Sequence, residues 1–166
     1  MRYILLDQVT TLKKGELLKG IKVFPLTHEA FRDSVNYRPV VPPALLIEAM
    51  AQAGGVLLSA SFGEEPSGLV FAKIEDVEFF TTVWPGDRLF IDAQVLEPSE
   101  NATKLKSTIV CDGKPVAHMS YFLAKRTLDP DESNIDYEAF LRSHKTRAAV
   151  LGISKLTGGT IDNQSQ

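Results

Sequence analysis

The segment that most constrains this chain is a helix-forming stretch that begins at proline and is apolar on nearly every side. Residues 42–53 run Pro-Pro-Ala-Leu-Leu-Ile-Glu-Ala-Met-Ala-Gln-Ala. Proline is favoured in the first turn of a helix, where an N–H would have no helical partner. A helix that is apolar all round has to be covered by other structure. The sequence therefore predicts a helix at the centre of the domain, which Gly54-Gly55 weakens without necessarily ending.

Strand-forming segments follow this helix. After a Gly/Glu/Pro/Ser loop there are three tracts, at 69–80, 89–96 and 102–124. Asp112-Gly113 divides the last tract, and Asp-Gly between alternating runs is a strong hairpin signal because both central residues of that turn need positive φ. The segment Trp84–Asp87 turns the chain between the first two tracts. Together these segments predict an antiparallel meander that curls around the helix.

The two ends of the chain differ from its centre. Residues 1–25 alternate short apolar runs with Gly-containing turns at 13–15 and 19–20, which predicts a peripheral hairpin. Near the other end, an acidic, Pro-containing linker precedes a short amphipathic helix and a polar tail. We therefore predict one α+β domain over residues 1–126 and an extension over residues 127–166.

Composition excludes several classes of function. The length of 166 residues suits a single domain, and the 44% apolar and 23% charged fractions are ordinary globular values. A net charge of −3 without a basic cluster argues against nucleic acid as a partner. No apolar run has the length of a membrane span or a signal peptide, and the single Cys111 allows no internal disulfide. We expect a cytoplasmic protein that uses no metal or cofactor and binds no membrane.

Three motifs resemble those of a known family. Residues 31–52, which end in Glu48-Ala-Met-Ala-Gln52, resemble the signature F-x-G-H-F-P-x-x-P-x-x-P-G-x-L-x-x-E/D-A-x-x-Q of the FabZ/FabA family, the 3-hydroxyacyl-[acyl-carrier-protein] dehydratases. Residues 2–9 resemble the family's N-terminal opening, and Val83-Trp-Pro-Gly-Asp87 resembles its V-x-P-G-D turn. The resemblance implies a hotdog fold, in which an antiparallel sheet wraps a long helix.

The same resemblance implies a lyase of fatty-acid or related acyl metabolism that acts on thioesters of acyl carrier protein or CoA. Family members are homodimers whose sheets join edge to edge, and some assemble further into hexamers. The paired carboxylate and histidine of each family site come from opposite subunits. An isolated monomer is therefore not expected to carry a complete site.

The resemblance also implies which residues form the site. Glu48 occupies the position of the family's catalytic carboxylate, and Gln52, one helical turn later, can hydrogen-bond to it. The family's histidine lies fourteen residues before the carboxylate, which is Ser34 in this chain. The glycine whose N–H polarises the thioester carbonyl lies five residues before it, and that position is Pro43.

Both replacements remove a catalytic group. The hydroxyl of Ser34 is too weak a base to replace imidazole, and Pro43 has no N–H to donate. One oxyanion donor contributes about 2.7–4 kcal/mol, and a general base contributes roughly 10²–10⁴-fold. We therefore predict a dehydratase-like protein that is impaired as a homodimer. His28 is a weak candidate for a substitute base, whereas His118 and His144 are interpreted as structural or surface groups; Cys111 is interpreted as a packing residue.

Three functions remain open. The first is dehydration, either by this chain alone or in a heterodimer whose partner supplies the histidine. The second is thioester hydrolysis, with Glu48 as base or nucleophile and the N–H groups of Ala44 and Leu45 polarising the carbonyl. The third is a non-catalytic acyl-binding or assembly subunit, in which Glu48 is simply satisfied by hydrogen bonds. In the first two, Val41 and Pro43 are expected to contact the substrate beside the start of the helix.

Overall fold

The structure of the protein is a computed structural model that describes residues 5–31, 39–62 and 69–125. Its elements in chain order are β1 (Gln8–Lys13), β2 (Leu17–Val23), a short 3-10 helix (Glu29–Phe31), α1 (Pro43–Phe62), β3 (Leu69–Phe79), β4 (Arg88–Glu97), β5 (Ala102–Cys111) and β6 (Lys114–Lys125). Each strand-forming tract predicted from the sequence is a strand or a pair of strands.

Several predicted features lie outside the described residues. They are the loop at 63–68, Ser34, His144 and the extension at 127–166. The division of the chain into a domain and an extension therefore stays a prediction.

The six strands form one antiparallel sheet in the order β1-β2-β4-β5-β6-β3. The predicted N-terminal hairpin exists, and β2 joins it to β4 in the same sheet. The prediction of a continuous meander is wrong for β3, which crosses to the far edge and pairs with β6 instead of β4. Turn-forming residues determine where a chain reverses, but they do not determine which strands become neighbours.

Two glycine-containing sites test the predicted turns. Asp112 and Gly113 both have positive φ, at 48° and 73°, and they join Cys111 to Lys114 as the hairpin signal predicted. The turn predicted at 19–20 is wrong, because Gly20 lies inside β2. A Cβ at Gly20 would lie 2.9 Å from Leu6 Cδ2, so glycine is needed there for a close approach between chain segments.

The helix α1 continues through both glycines and packs on one side of the sheet. Its buried side chains are Leu46, Ala49, Met50, Ala51, Ala53, Leu57 and Leu58. The expectation that no segment has the length of a membrane span is wrong for α1, which is long and apolar enough by length and composition, but 44% of that window is buried inside the domain. The prediction that α1 is covered all round is wrong for one chain, since Pro43, Ala44 and Glu48 are exposed. The curved sheet covers only one side of a helix.

A buried polar cluster fixes how α1 sits on the sheet. The Tyr121 hydroxyl donates to the Met50 carbonyl at 2.9 Å, and Ser107 Oγ lies 3.0 Å from the same hydroxyl. Gly54 faces this cluster, and a Cβ there would collide with the Tyr121 hydroxyl. Burial raises the pKa of Tyr121 well above its usual range. These contacts hold α1 at one rotation, with Glu48 turned away from the sheet.

Candidate functional site

The start of α1 is attached to the turn between β3 and β4. The Val41 N–H donates to the Val83 carbonyl at 2.9 Å, and Val41 itself is buried. In that turn the Asp87 carboxylate accepts from the Trp84 N–H at 2.8 Å, and Gly86 has a φ of 95°. The Pro-Gly-Asp motif therefore serves to position the first residues of the helix.

Glu48 is the candidate catalytic carboxylate, and hydrogen bonds hold it in place. Gln52 Nε2 donates to Glu48 Oε1 at 2.8 Å, while Gln52 Oε1 accepts from the Leu5 N–H at 2.9 Å. Because the amide oxygen receives the Leu5 N–H, the amide nitrogen has to face the carboxylate. Gln52 therefore acts as a donor toward Glu48, which remains exposed to solvent. The predicted bond between these two side chains is present.

The backbone at the start of α1 offers one N–H for a carbonyl oxygen. The Leu45 N–H donates to the Pro42 carbonyl at 2.9 Å, so it is already engaged. This corrects the expectation that Ala44 and Leu45 both serve as donors. Within the described part of the chain the Ala44 N–H has no acceptor, and Ala44 is exposed. A helix N-terminus favours negative charge, which suits a developing oxyanion.

Neither described histidine is hydrogen-bonded to Glu48, whose only such partner in the described ranges is Gln52. His28 lies between the rings of Phe24 and Phe31, with centroid distances of 5.7 and 5.9 Å, and its Nδ1 accepts from a backbone N–H. His118 lies mid-strand in β6 and its Nε2 is 2.7 Å from Asp76 Oδ2.

Cys111 ends β5 beside the hairpin turn and packs against the core, in agreement with its interpretation as a packing residue. Burial, with the carboxylates of Asp87 and Asp112 as further causes, raises the pKa of this thiol. A raised pKa disfavours the reactive thiolate. Cys111 is therefore not suited to nucleophilic catalysis.

The side of α1 that holds Glu48 continues along the helix as a strip of small and polar residues. Glu48, Gln52, Gly55 and Ser59 recur at the helical spacing that places them on one face. A Cβ at Gly55 would meet nothing within 4 Å, so this face borders open space. Ser59 Oγ is buried, and it has no hydrogen-bond partner among the described residues. Sequence reasoning did not single out Gly55 or Ser59, although their spacing from Glu48 was visible.

Comparisons with known proteins point to one family. Residues 1–120 match the FabA-like domain. The 3-hydroxyacyl-[acyl-carrier-protein] dehydratase FabZ of Hydrogenobaculum sp. is 30% identical over 128 residues, which is 76% of this chain and 86% of that protein. The FabZ of Rickettsia felis is 32% identical over 120 residues, which is 72% of this chain and 83% of the relative.

Solved structures share the fold at lower identity. The dehydratase heterocomplex ApeI:P from Xenorhabdus doucetiae superposes with a TM-score of 0.63 at 18% identity, covering 78% of this chain and 86% of that one. A hypothetical thioesterase protein with coenzyme A from Streptococcus pneumoniae has a TM-score of 0.57 at 13% identity, covering 72% and 88%. These likenesses concern the fold alone.

Proposed function

This chain belongs to the FabA-like domain family and has its hotdog fold, and from that premise we propose that it is a 3-hydroxyacyl-thioester dehydratase-like protein of fatty-acid or related acyl metabolism, impaired as a homodimer. The observation that carries the proposal is the exposed Glu48 carboxylate, held by Gln52 beside an exposed helix start. A soluble carrier-protein or CoA thioester as substrate suits a cytoplasmic location.

In this proposal Glu48 acts as the general acid of the dehydration. Dehydration removes a proton from C2 of the acyl chain and hydroxide, as water, from C3, which leaves an enoyl thioester. Gln52 occupies one oxygen of Glu48, so the other oxygen is available to the substrate's 3-hydroxyl. A protonated Glu48 then donates to the departing hydroxyl. In this proposal the Ala44 N–H, at the helix start, donates to the thioester oxygen.

In our proposal the chain lacks the general base and one donor to the thioester oxygen. Ser34 stands at the family's histidine position and Pro43 at that of the glycine donor. Loss of a general base lowers turnover by roughly 10²–10⁴-fold. The structural likeness to a dehydratase heterocomplex supports a second chain as one source of the missing imidazole.

We further propose that the protein dimerises through β3. This strand is one of the two edges of the sheet, and its second side has no partner strand among the described residues. Edge strands with exposed apolar side chains are prone to pair with another chain. Phe71, Ile74 and Phe79 of β3 are each close to 40% exposed. A dimer at this edge agrees with a family site that is shared between two subunits.

The direct test incubates the purified full chain with a 3-hydroxyacyl-carrier protein and follows enoyl formation by mass spectrometry. We expect slow formation that Glu48→Gln abolishes, while the matched change Glu97→Gln at the exposed end of β4 has no effect. Ser34→His is expected to raise the rate by roughly 10²-fold or more, because it returns a general base. Enoyl formation that does not depend on Glu48 would reject the proposed role of this residue.

A partner chain is tested by co-expression with complete dehydratase subunits from the same genome. If a subunit copurifies and enoyl formation rises toward that of a complete dehydratase, the partner supplies the base. If only homodimers form, the heterodimer is rejected.

Thioester hydrolysis is the second candidate function. It is favoured by the Ala44 N–H, which has no acceptor among the described residues and lies one helical turn before the exposed Glu48, and by fold likeness to a hypothetical thioesterase with coenzyme A. Glu48 would activate water or attack the thioester carbon. Release of free thiol from acyl-CoA without any enoyl product, abolished by Glu48→Gln, would identify this function. If neither an enoyl product nor free thiol forms, the acyl-binding role is favoured.

A further inference from the structure

The first described residues of the chain connect the hydrogen bonds of Glu48 to the sheet. We infer that Asp7 is a positioning residue for Glu48, because its carboxylate fixes the short segment 5–7 whose first N–H orients Gln52. The inference deepens the proposed function, and it rests on that function for the statement that Glu48 contacts the substrate.

Asp7 lies directly before β1 and makes three hydrogen bonds to β2. Its Oδ2 accepts from the Val23 N–H at 2.7 Å, and its Oδ1 accepts from Lys22 Nζ at 2.7 Å. Its own N–H donates to the Ile21 carbonyl at 2.8 Å. Both carboxylate oxygens and the N–H of Asp7 are therefore engaged with three consecutive residues of one strand.

The carboxylate of Asp7 takes the place of a backbone acceptor. The ladder between β1 and β2 pairs Gln8 with Ile21. A longer β1 would place Leu6 opposite Val23 and would offer a backbone carbonyl to the Val23 N–H. Asp7 satisfies that N–H with its side chain instead. The residues before Asp7 are thereby released from sheet pairing and run toward α1.

Leu5 completes the connection to the candidate site. Its N–H donates to Gln52 Oε1 at 2.9 Å, and Gln52 Nε2 donates to Glu48 Oε1 at 2.8 Å. If the Gln52 amide were rotated by half a turn, its nitrogen would face the Leu5 N–H and its oxygen would face the carboxylate. The position of the Leu5 N–H therefore selects the amide orientation in which Gln52 donates to Glu48.

Burial alone would not fix the direction of the Leu5 N–H. The side chains of Leu5 and Leu6 are 1% and 2% exposed, but hydrophobic burial is non-directional. A hydrogen bond, in contrast, weakens steeply when its angle departs from the preferred range. The bonds of Asp7, two residues along the chain from Leu5, supply the directional constraint.

The partner of Asp7 is a buried charge. The Lys22 side chain is only 7% exposed, and its Nζ lies 5.3 Å from the centre of the Phe24 ring. Removing one member of a buried ion pair costs much more than removing one member of an exposed pair. The geometry around Asp7 therefore responds strongly to loss of its charge.

Asp92 of β4 provides a matched control. It pairs with Lys19 of β2 at 3.3 Å, and the two side chains are 35% and 48% exposed. Asp92 lies between the buried Ile91 and Ala93, so its side chain faces away from the side of the sheet that holds α1.

Amide hydrogen exchange, measured by NMR on the isotope-labelled full chain, tests the connection without depending on turnover. Asp7→Asn replaces one acceptor oxygen with an amide that donates, so it presents a donor to either Val23 or Lys22. We expect exchange of the Leu5 N–H to rise about tenfold relative to the amides of β5, the factor that corresponds to one lost hydrogen bond. The side-chain amide signals of Gln52 are expected to shift. Asp92→Asn is expected to change neither measurement.

A double-mutant cycle tests whether Asp7 acts through Gln52, with Ser34→His as the faster background. Asp7→Asn is expected to lower kcat for enoyl formation about tenfold with little change in KM, because Glu48 acts on the departing hydroxyl. In a chain that already carries Gln52→Ala, the same change is expected to lower kcat no further, because the connection is already broken. A general loss of stability would lower kcat equally in both backgrounds.

These outcomes separate the inference from the proposed function. Faster Leu5 exchange in Asp7→Asn, with no Glu48-dependent enoyl product in any variant, rejects the proposed dehydration and keeps Asp7 as the residue that orients Gln52 toward Glu48. Unchanged Leu5 exchange, equal effects of Asp7→Asn and Asp92→Asn, or independent effects of Asp7→Asn and Gln52→Ala on kcat would overturn the inference. Each of these results would leave Glu48-dependent enoyl formation intact as evidence for the proposed chemistry.

Discussion

The two sides of α1 differ most sharply at two adjacent glycines. Gly54 faces the sheet, where the Tyr121 hydroxyl and a methyl of Leu105 occupy the space of a Cβ. Gly55 faces the other way, and a Cβ there would meet nothing within 4 Å. One glycine is required by close packing, and the other adjoins open space on the side of Glu48. The closed side of the helix therefore determines stability, while the open side holds the groups available to a substrate.

The largest effect is expected from adding a methyl group on the side of α1 that packs against the sheet. Gly54→Ala would force the Tyr121 hydroxyl away from the Met50 carbonyl. Overpacking of this kind destabilises a core by about 1–3 kcal/mol, against a gain in helix propensity of about 1 kcal/mol. We expect a net loss of up to about 2 kcal/mol in the free energy of unfolding, measured in urea. An unchanged midpoint would show that the two elements can separate without strain.

Removing one hydroxyl tests the same side without adding bulk. Tyr121→Phe leaves Ser107 and the Met50 carbonyl in the core without the partner they share. A lost buried hydrogen bond of this kind costs about 1–2 kcal/mol. We expect that decrease in the free energy of unfolding, measured in urea against the wild-type chain. Stability equal to that of the wild type would mean that the polar cluster does not anchor α1.

Alkaline pH tests the cluster in the wild-type chain. Burial raises the pKa of Tyr121 above its ordinary value of 10.0, so the unfolded chain loses this proton first. The protonated Tyr121 hydroxyl therefore contributes its full stabilisation below pH 10. As the pH rises from 10 toward the pKa of Tyr121 in the folded chain, the free energy of unfolding decreases by up to about 1.4 kcal/mol per pH unit. We expect urea unfolding at pH 11 to show this decrease in the wild type and not in Tyr121→Phe.

The open side should respond in activity more than in stability. Gln52→Ala removes the donor to Glu48 and the acceptor of the Leu5 N–H, which we expect to destabilise the fold by about 1 kcal/mol. Any Glu48-dependent turnover should fall by more than the loss of stability explains, because the carboxylate loses the hydrogen bond that positions it. Gln52→Glu preserves the shape and tests the same bond. A stability loss without a loss of turnover would indicate a structural role only.

The smallest effect is expected at the second glycine. Gly55→Ala enters open space and removes a flexible residue from the interior of a helix, so we expect a gain of about 0.5–1 kcal/mol in the free energy of unfolding. The measurement is the same urea titration used for Gly54→Ala. A loss of stability would mean that this side of α1 is not open.

Much of the fold followed from local signals. The proline-initiated helix, the Asp112-Gly113 hairpin and the strand-forming tracts depend on near neighbours in the chain, and the structure confirms them. The position of β3 beside β6 could not be predicted from local signals, because strands that are far apart in the chain can form the same backbone hydrogen bonds as consecutive strands. Glycine at position 20 predicts a turn, but it stands inside β2 because Leu6 approaches it from another segment.

The candidate site also combines features that the sequence determined with features that only the tertiary structure decided. The sequence by itself determined that Glu48 and Gln52 share a helix face and that serine and proline stand at positions 34 and 43, since these are matters of identity and spacing. Only the tertiary structure decided that Gln52 is oriented by the Leu5 N–H, that the Leu45 N–H is already engaged, and that Gly54 and Gly55 face opposite surroundings. The physical reason is that hydrogen-bond partners and packing distances arise between segments far apart in the chain, whose approach no local pattern encodes.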